Sequence, residues 1–199
     1  MESDSVNKLA ASLILFASAT GALFAGEAAA PHKAPELAFT IPEQGQKLLS
    51  QYRGKVVALE FIQTTCPHCQ AASKIMTRLQ QEYGNRGFQA LDVAINTTDT
   101  QVVQTFEKEF QVGFPVGYTP QDQMMAFMGF TMADRFVVPQ LILIDRKGYI
   151  HYQTPPLGDS SSLKEDTIRQ RLNELLSAGN SAVNRGPATA RVATAKAQP

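Results

Sequence analysis

Residues 54–70 read GKVVALEFIQTTCPHCQ, and no other stretch constrains the fold as strongly. Residues 56–62 are a short, almost unbroken apolar run, which fits a strand buried on both faces. A helical pattern follows over 67–83. Pro67 suits the first helical turn, where its missing N–H costs nothing. Gly84-Asn85-Arg86-Gly87 stops the helix. The apolar run 88–95 predicts a second strand. Strand, helix and strand in this order predict a parallel βαβ unit, so the fold class is α/β.

The chain has two cysteines in 199 residues, Cys66 and Cys69, and both fall where the first strand hands over to the helix. A scaffold stapled by several disulfides is thereby excluded. A helix N-terminus has unpaired N–H groups and a partial positive charge, which stabilise a thiolate, the reactive form of cysteine. The helix pattern makes the two thiols unequal. Cys69, Ala72, Met76, Leu79 and Tyr83 recur at alternating spacings of 3 and 4, so Cys69 continues the buried stripe. Cys66 stands at its mouth. That arrangement predicts an exposed, attacking Cys66 and a shielded, resolving Cys69.

Other chemistries of a cysteine pair fit poorly. Structural zinc wants about four ligands, and His32 and His151 lie far from the pair without a ligand spacing; no metal is expected. Haem attachment needs His directly after the second cysteine, and Gln70 is there.

Further along, Asn96-Thr97-Thr98-Asp99 caps a helix carrying Val103, Phe106 and Phe110, and residues 114–116 predict a short extended piece. Residues 120–128 predict another helix. Residues 140–145 and 149–153 flank the turn Arg146-Lys147-Gly148 and predict a hairpin. Ser162 and Glu165 have the spacing of a capping box ahead of a helix with Ile168, Leu172, Leu175 and Leu176 on one face. The cluster Met124, Met125, Phe127, Met128, Phe130 and Met132 reads as core packing, with an adaptable polypeptide-binding surface as the alternative.

Lys+Arg and Asp+Glu number 18 each, so the net charge is zero. No nucleic acid partner is expected from that balance. Between Lys8 and Glu27 there is no charge at all. This apolar run, followed by small residues, has the form of a secretory signal peptide over 1–28, with Ala28 as a cleavage position. It is also long enough to stay as an N-terminal anchor. Export is the expectation in both cases; a buried N-terminal helix is the alternative, and it fits poorly because the run has no polar face. No third cysteine exists to carry a lipid. Residues 35–178 are expected to form the folded domain and 179–199 a disordered tail.

The stretch 54–70, together with Val138-Pro139 and LILIDRKGYI, resembles the active-site strand, loop and hairpin of thioredoxin-superfamily thiol–disulfide oxidoreductases. Cys69 and Pro139 are 70 positions apart, which is similar to the TlpA/ResA/DsbE-like redoxins with their extra helix–strand piece, here 98–117. The lead-in APELAFTIPEQGQKLLSQYRGKVV resembles that group too. The resemblance implies a thioredoxin-like fold: a central mixed β-sheet flanked by helices, with an inserted helix–strand segment. It assigns Glu60, six positions before Cys66, to the family's buried acid, able to exchange a proton with Cys69. A strand Glu reaching solvent is the alternative. It assigns Pro139 to the family's cis-proline, with Val138 and Pro67 at the substrate-contact surface. A trans proline opening an edge strand is the alternative there. His68, between the thiols, is either a group that tunes Cys66 or an exposed side chain on the first turn.

Two features depart from the redoxin pattern. Thr65 stands where those redoxins carry Trp, and Leu59-Glu60-Phe61 with Pro67-His68 resembles the DsbA-type oxidases. Reduction and oxidation of substrates are both open on this wording. The implied protein exchanges disulfides with protein thiols through the redox-active disulfide Cys66–Cys69. It needs no cofactor, is served by an unidentified redox partner, and works as a monomer in the periplasm or another extracytoplasmic space. A non-catalytic thioredoxin-like module that holds a partner or a copper ion is the alternative. A thiol peroxidase is disfavoured, because Gln63 and Leu59 stand where the peroxiredoxins carry Thr and Pro.

Overall fold

In the computed structural model, which describes residues 30–183, the run 56–62 is a central strand of an eight-stranded sheet. In chain order the strands are β1 (His32–Lys33), β2 (Ala38–Ile41), β3 (Gly45–Leu48), β4 (Val56–Ile62), β5 (Phe88–Ala94), β6 (Val116–Tyr118), β7 (Gln140–Ile144) and β8 (Tyr149–Gln153). The helices are α1 (Pro67–Tyr83), α2 (Thr100–Glu109), α3 (Gln121–Met128) and α4 (Glu165–Val183). The spatial order is β1-β8-β7-β4-β5-β6-β2-β3. β4, β5 and β6 are parallel, and the remaining pairings are antiparallel, so the sheet is mixed.

Every residue of β4, β5 and β7 is buried, as strands covered on both faces require. Alternation along them separates two cores. Val56, Ala58 and Ile62 face α1, α2 and α4, where Met76, Leu79, Phe106, Ile168, Leu172 and Leu176 fill the space. Val57, Leu59 and Phe61 face α3 and the N-terminal segment. The inserted helix–strand piece is present as α2 and β6, and β6 joins the parallel core to the β2–β3 hairpin.

Most of the predicted elements form within a residue or two of their expected places. The exceptions have physical reasons. The extended piece expected at 114–116 begins its pairing only at Val116, because Pro115 has no N–H to give; its carbonyl instead accepts from Asp92 N–H at 3.2 Å. β7 stops at Ile144, because the Asp145 carboxylate turns inward to accept from the N–H groups of Lys147 and Tyr149 at 2.9 Å each. The expected capping box does not form. The Ser162 hydroxyl goes to Asp159, and the Glu165 carboxylate goes to Arg78 at 2.5 Å and Arg169 at 2.9 Å.

Met124, Met125, Phe127 and Met128 are buried beneath the sheet, while Met132 is almost fully exposed. α4 continues to Val183, into the stretch read as tail. The signal or anchor segment 1–28 and residues 184–199 lie outside the described residues.

Candidate active site

α1 begins where β4 delivers the chain to the sheet's carboxyl edge. Cys66 is its N-cap, with extended backbone at φ −85° and ψ 119°, and Pro67 is its first residue. Both cysteines are free thiols. Cys66 is half-buried and Cys69 is fully buried, in the stripe with Ala72, Met76, Leu79 and Tyr83. The loop before the pair is clamped from two sides. Asn96, just after β5, accepts from Thr64 N–H at 3.0 Å and donates to the Thr64 hydroxyl at 3.1 Å. Gln70 donates to the Thr64 carbonyl at 3.1 Å.

The Val138–Pro139 peptide is cis, and the Val138 carbonyl lies 3.9 Å from the Cys66 sulfur. Val138 packs against both cores. Gln140, the next residue but one, is completely buried. Its amide donates to the carbonyls of Val137 at 2.7 Å, Pro156 at 3.0 Å and Pro155 at 3.4 Å. The Pro139 loop is thereby tied to the turn after β8. Val137 and Leu157 are exposed at this junction. On the other side of Cys66, α2 leaves an open cleft of 620 Å³ bordered by Thr64, Thr65, Gln70, Val102, Phe106 and Phe110.

Glu60 does not reach solvent. It is completely buried on the face of β4 that looks toward α1, and its partner in the β4–β5 register is Asp92, also completely buried. Neither Glu60 oxygen has a regular hydrogen-bond partner. Burial, then the charge and carboxyl contact of Asp92, hold the Glu60 pKa well above the usual carboxylate range. Burial likewise raises that of Asp92, partly offset by a 2.5 Å hydrogen bond with Ser73 of α1. Ser73 also donates to the Cys69 carbonyl at 3.1 Å. The Cys69 thiol is pushed up, chiefly by burial, with the neighbouring Cys66 sulfur and Glu60 acting in the same direction. His68 is exposed on the first turn of α1, and among the described residues no side chain hydrogen-bonds to it.

The site combines one accessible sulfur, one shielded sulfur a turn away, and two buried acids on the same side of the sheet. The model of the AhpC/TSA family matches residues 30–153. The chain belongs to this family. Among curated relatives of this AhpC/TSA member, the thiol-disulfide oxidoreductase ResA of Geobacillus thermodenitrificans is 30% identical over 143 residues, 71% of this chain and 75% of that one. A solved structure from Chlorobium tepidum, provisionally named thiol:disulfide interchange protein DsbE, superposes with a TM-score of 0.62 at 26% identity. It covers 73% of this chain and 96% of its own. A provisionally named protein disulfide isomerase from Bacteroides thetaiotaomicron gives 0.63 at 25% identity, covering 77% and 94%. The fold is thioredoxin-like and the class of activity is thiol–disulfide oxidoreductase.

The structure brings Cys66, Cys69, Val138 and Pro139 together at one edge of the sheet, with Glu60 beneath. Pro67 and His68 lie on the outer side of the first turn. Besides Ser73, whose partners Cys69 and Asp92 define it, three residues of the site were not singled out by sequence reasoning. Asp92 carried a usable signal, a lone acid in the apolar run 88–95, at the same place in its strand as Glu60 in the preceding one. Asn96 was hidden among the capping residues before α2. Gln140 had no signal, because its role depends on carbonyls 15 and 16 positions away.

Proposed function

We propose that this protein is an exported thiol–disulfide oxidoreductase acting on protein substrates, with Cys66 as nucleophile and Cys69 as resolving thiol. The unequal burial of two thiols on one helical turn carries the reading. In the reductive direction the Cys66 thiolate attacks a substrate disulfide and forms a mixed disulfide. The Cys69 sulfur then attacks Cys66, the substrate leaves reduced, and the Cys66–Cys69 disulfide remains. The same steps reversed oxidise a substrate dithiol, and the electrons travel in the cysteines alone.

The surface around Val138 and Pro139 suits an extended substrate segment, which needs backbone groups beside the reacting sulfur. Exposed Val137 and Leu157 supply sequence-tolerant apolar contact there. Glu60 exchanges the Cys69 proton, and His68 is the polar side chain that lies between the two thiols in sequence. The apolar segment 9–25 directs the chain to an extracytoplasmic space, the periplasm in a two-membrane cell.

The test is exchange with a protein disulfide. Cys66→Ser abolishes turnover, and Cys69→Ser accumulates a substrate-linked species sensitive to reductant. Full turnover by both variants would sink the reading. Equilibration with glutathione fixes the direction, with a potential close to about −270 mV marking a reductant and one close to about −120 mV an oxidant.

A further inference from the structure

We propose that Asp92 is a positioning residue for proton transfer at Cys69: with Glu60 it forms a buried carboxyl pair that holds one proton, and Ser73 ties this pair to the Cys69 turn. The proposal deepens the function given above and rests on Cys69 as the resolving thiol.

The geometry begins with register. Glu60 and Asp92 are direct partners on parallel neighbours, both fully buried and both on the α1 side of the sheet. Glu60 Oε1 and Oε2 and Asp92 Oδ1 are buried with no regular partner. Two adjacent carboxylates cannot both stay ionised in such a site, so one proton remains between them. Glu60 is its resting place, because Asp92 has the Ser73 hydroxyl to support a charge and Glu60 has nothing comparable.

Among the described residues no group of opposite charge acts on Glu60 or Asp92. α1 faces the pair with Ser73 and Cys69. The flanking strands set Leu141 beside Glu60 and Val116 beside Asp92. α4 lends Ile168, Leu172 and Leu176 to this core, and Tyr152 of β8 packs at its margin. The Arg171 guanidinium lies 3.6 Å from the Tyr152 ring centre and bonds Ser162.

Ser73 makes the state of the pair visible to the redox turn. Its oxygen is 2.5 Å from Asp92 Oδ2 and 3.1 Å from the Cys69 carbonyl, and it has one hydrogen for both acceptors. With Asp92 ionised, Ser73 donates to Asp92. With Asp92 protonated, Asp92 donates to Ser73, which then donates to the Cys69 carbonyl.

A pair with one proton can accept a second or release the one it has, which suits exchange in both directions. In the resolving step the Cys69 sulfur bonds to Cys66, the bond to the substrate sulfur breaks, and the substrate departs as thiolate with its electron pair. The Cys69 proton passes to Glu60 as the Glu60 proton shifts to Asp92. The pair then loses a proton to solvent, where the substrate thiolate recovers one. In the opposite direction every transfer is reversed.

The test follows the resolution of a Cys66 mixed disulfide by stopped flow from pH 5 to 9, in the full chain and in Asp92→Asn and Ser73→Ala. The unmodified chain is expected to give a titration in this range. Asp92→Asn is expected to move it by about one unit and to slow resolution at pH 7 about tenfold. Ser73→Ala moves it less and in the same sense. An Asp92→Asn protein that folds and keeps the original profile would overturn the proposal. Infrared spectra of the unmodified chain provide the second arm, independent of any variant's folding. A protonated carboxyl band is expected to persist at pH 7, and its absence also overturns the proposal. Exchange that survives Cys66→Ser while the band persists would instead refute the assignment of the redox thiols.

Discussion

Gln140 donates to three carbonyls and so ties the Pro139 loop to the turn after β8. Replacement by Leu keeps the volume and removes both amide hydrogens; it strands the Val137 carbonyl, while the carbonyls of Pro156 and Pro155 keep the N–H groups of Val137 and Gly158. Loss of a buried donor costs roughly 1–3 kcal/mol, so urea denaturation of Gln140→Leu should detect a loss of that size. On the proposed function, the same variant should raise KM for a protein disulfide more than for a small aryl disulfide, because only the larger substrate would extend over the Pro139 loop. Residues whose partners are local were legible in sequence: Cys66, Pro67 and Cys69 are defined by one helical turn. Asp92 and Gln140 were not, because a charged or amide side chain inside an apolar run has no meaning until the strand beside it is known.

The elements respond to their ends and to their closest approaches. Asp99 caps α2 by accepting from Gln101 N–H at 2.8 Å. Asp99→Ala should cost about 1 kcal/mol by thermal unfolding and leave small-molecule exchange unaltered. Gly117 of β6 lets the inserted strand approach the N-terminal hairpin. A Cβ there would stand 2.9 Å from the Phe39 ring and 2.9 Å from the Thr40 carbonyl. Gly117→Ala should therefore lower stability by about 1–3 kcal/mol, the usual range for overpacking. The long helices and central strands were readable because each has a full period of apolar residues. The hairpin β2–β3 was not, since its strands have four residues each and β3 is mostly exposed. It turns through Glu43 at φ 63°, a conformation that side chains rarely adopt and that no local pattern announces. The capping box failed for a related reason: Asp159, three residues upstream, competes for Ser162.

For the whole molecule, the buried acids set how stability varies with pH. Glu60 and Asp92 both have raised pKa values in the folded protein, whereas in the unfolded chain they ionise near about 4. The folded state therefore binds more protons above that pH, and stability falls as pH rises through the folded values. Surface acids act oppositely. Asp159, held down to about 2 by Ser161 and Ser162, gives stability that is lost as pH falls below about 4 toward its folded value. Chemical denaturation from pH 3 to 9 should trace a dome with its maximum on the acid side of neutrality. Glu60→Gln should flatten its alkaline limb, and an unchanged limb would show that the pair does not titrate as described. The α/β class and the strand–helix–strand centre were legible from 54–95 alone; the order of eight strands was not, because β1, β6 and the β2–β3 hairpin reach the sheet through contacts remote in sequence.

The two outermost strands have a further consequence, for how copies of the protein behave when crowded. One border of the sheet is the two-residue His32–Lys33, exposed and lysine-bearing, and the other is the polar strand Gly45–Leu48. Open sheets invite neighbours to add strands along such borders, and short, polar, lysine-bearing edges discourage it. A thiol–disulfide oxidoreductase meets exposed strands wherever a protein thiol substrate is partly unfolded. Its borders leave them few hydrogen-bonding groups to extend, so capture is directed to the sulfur and away from the rim.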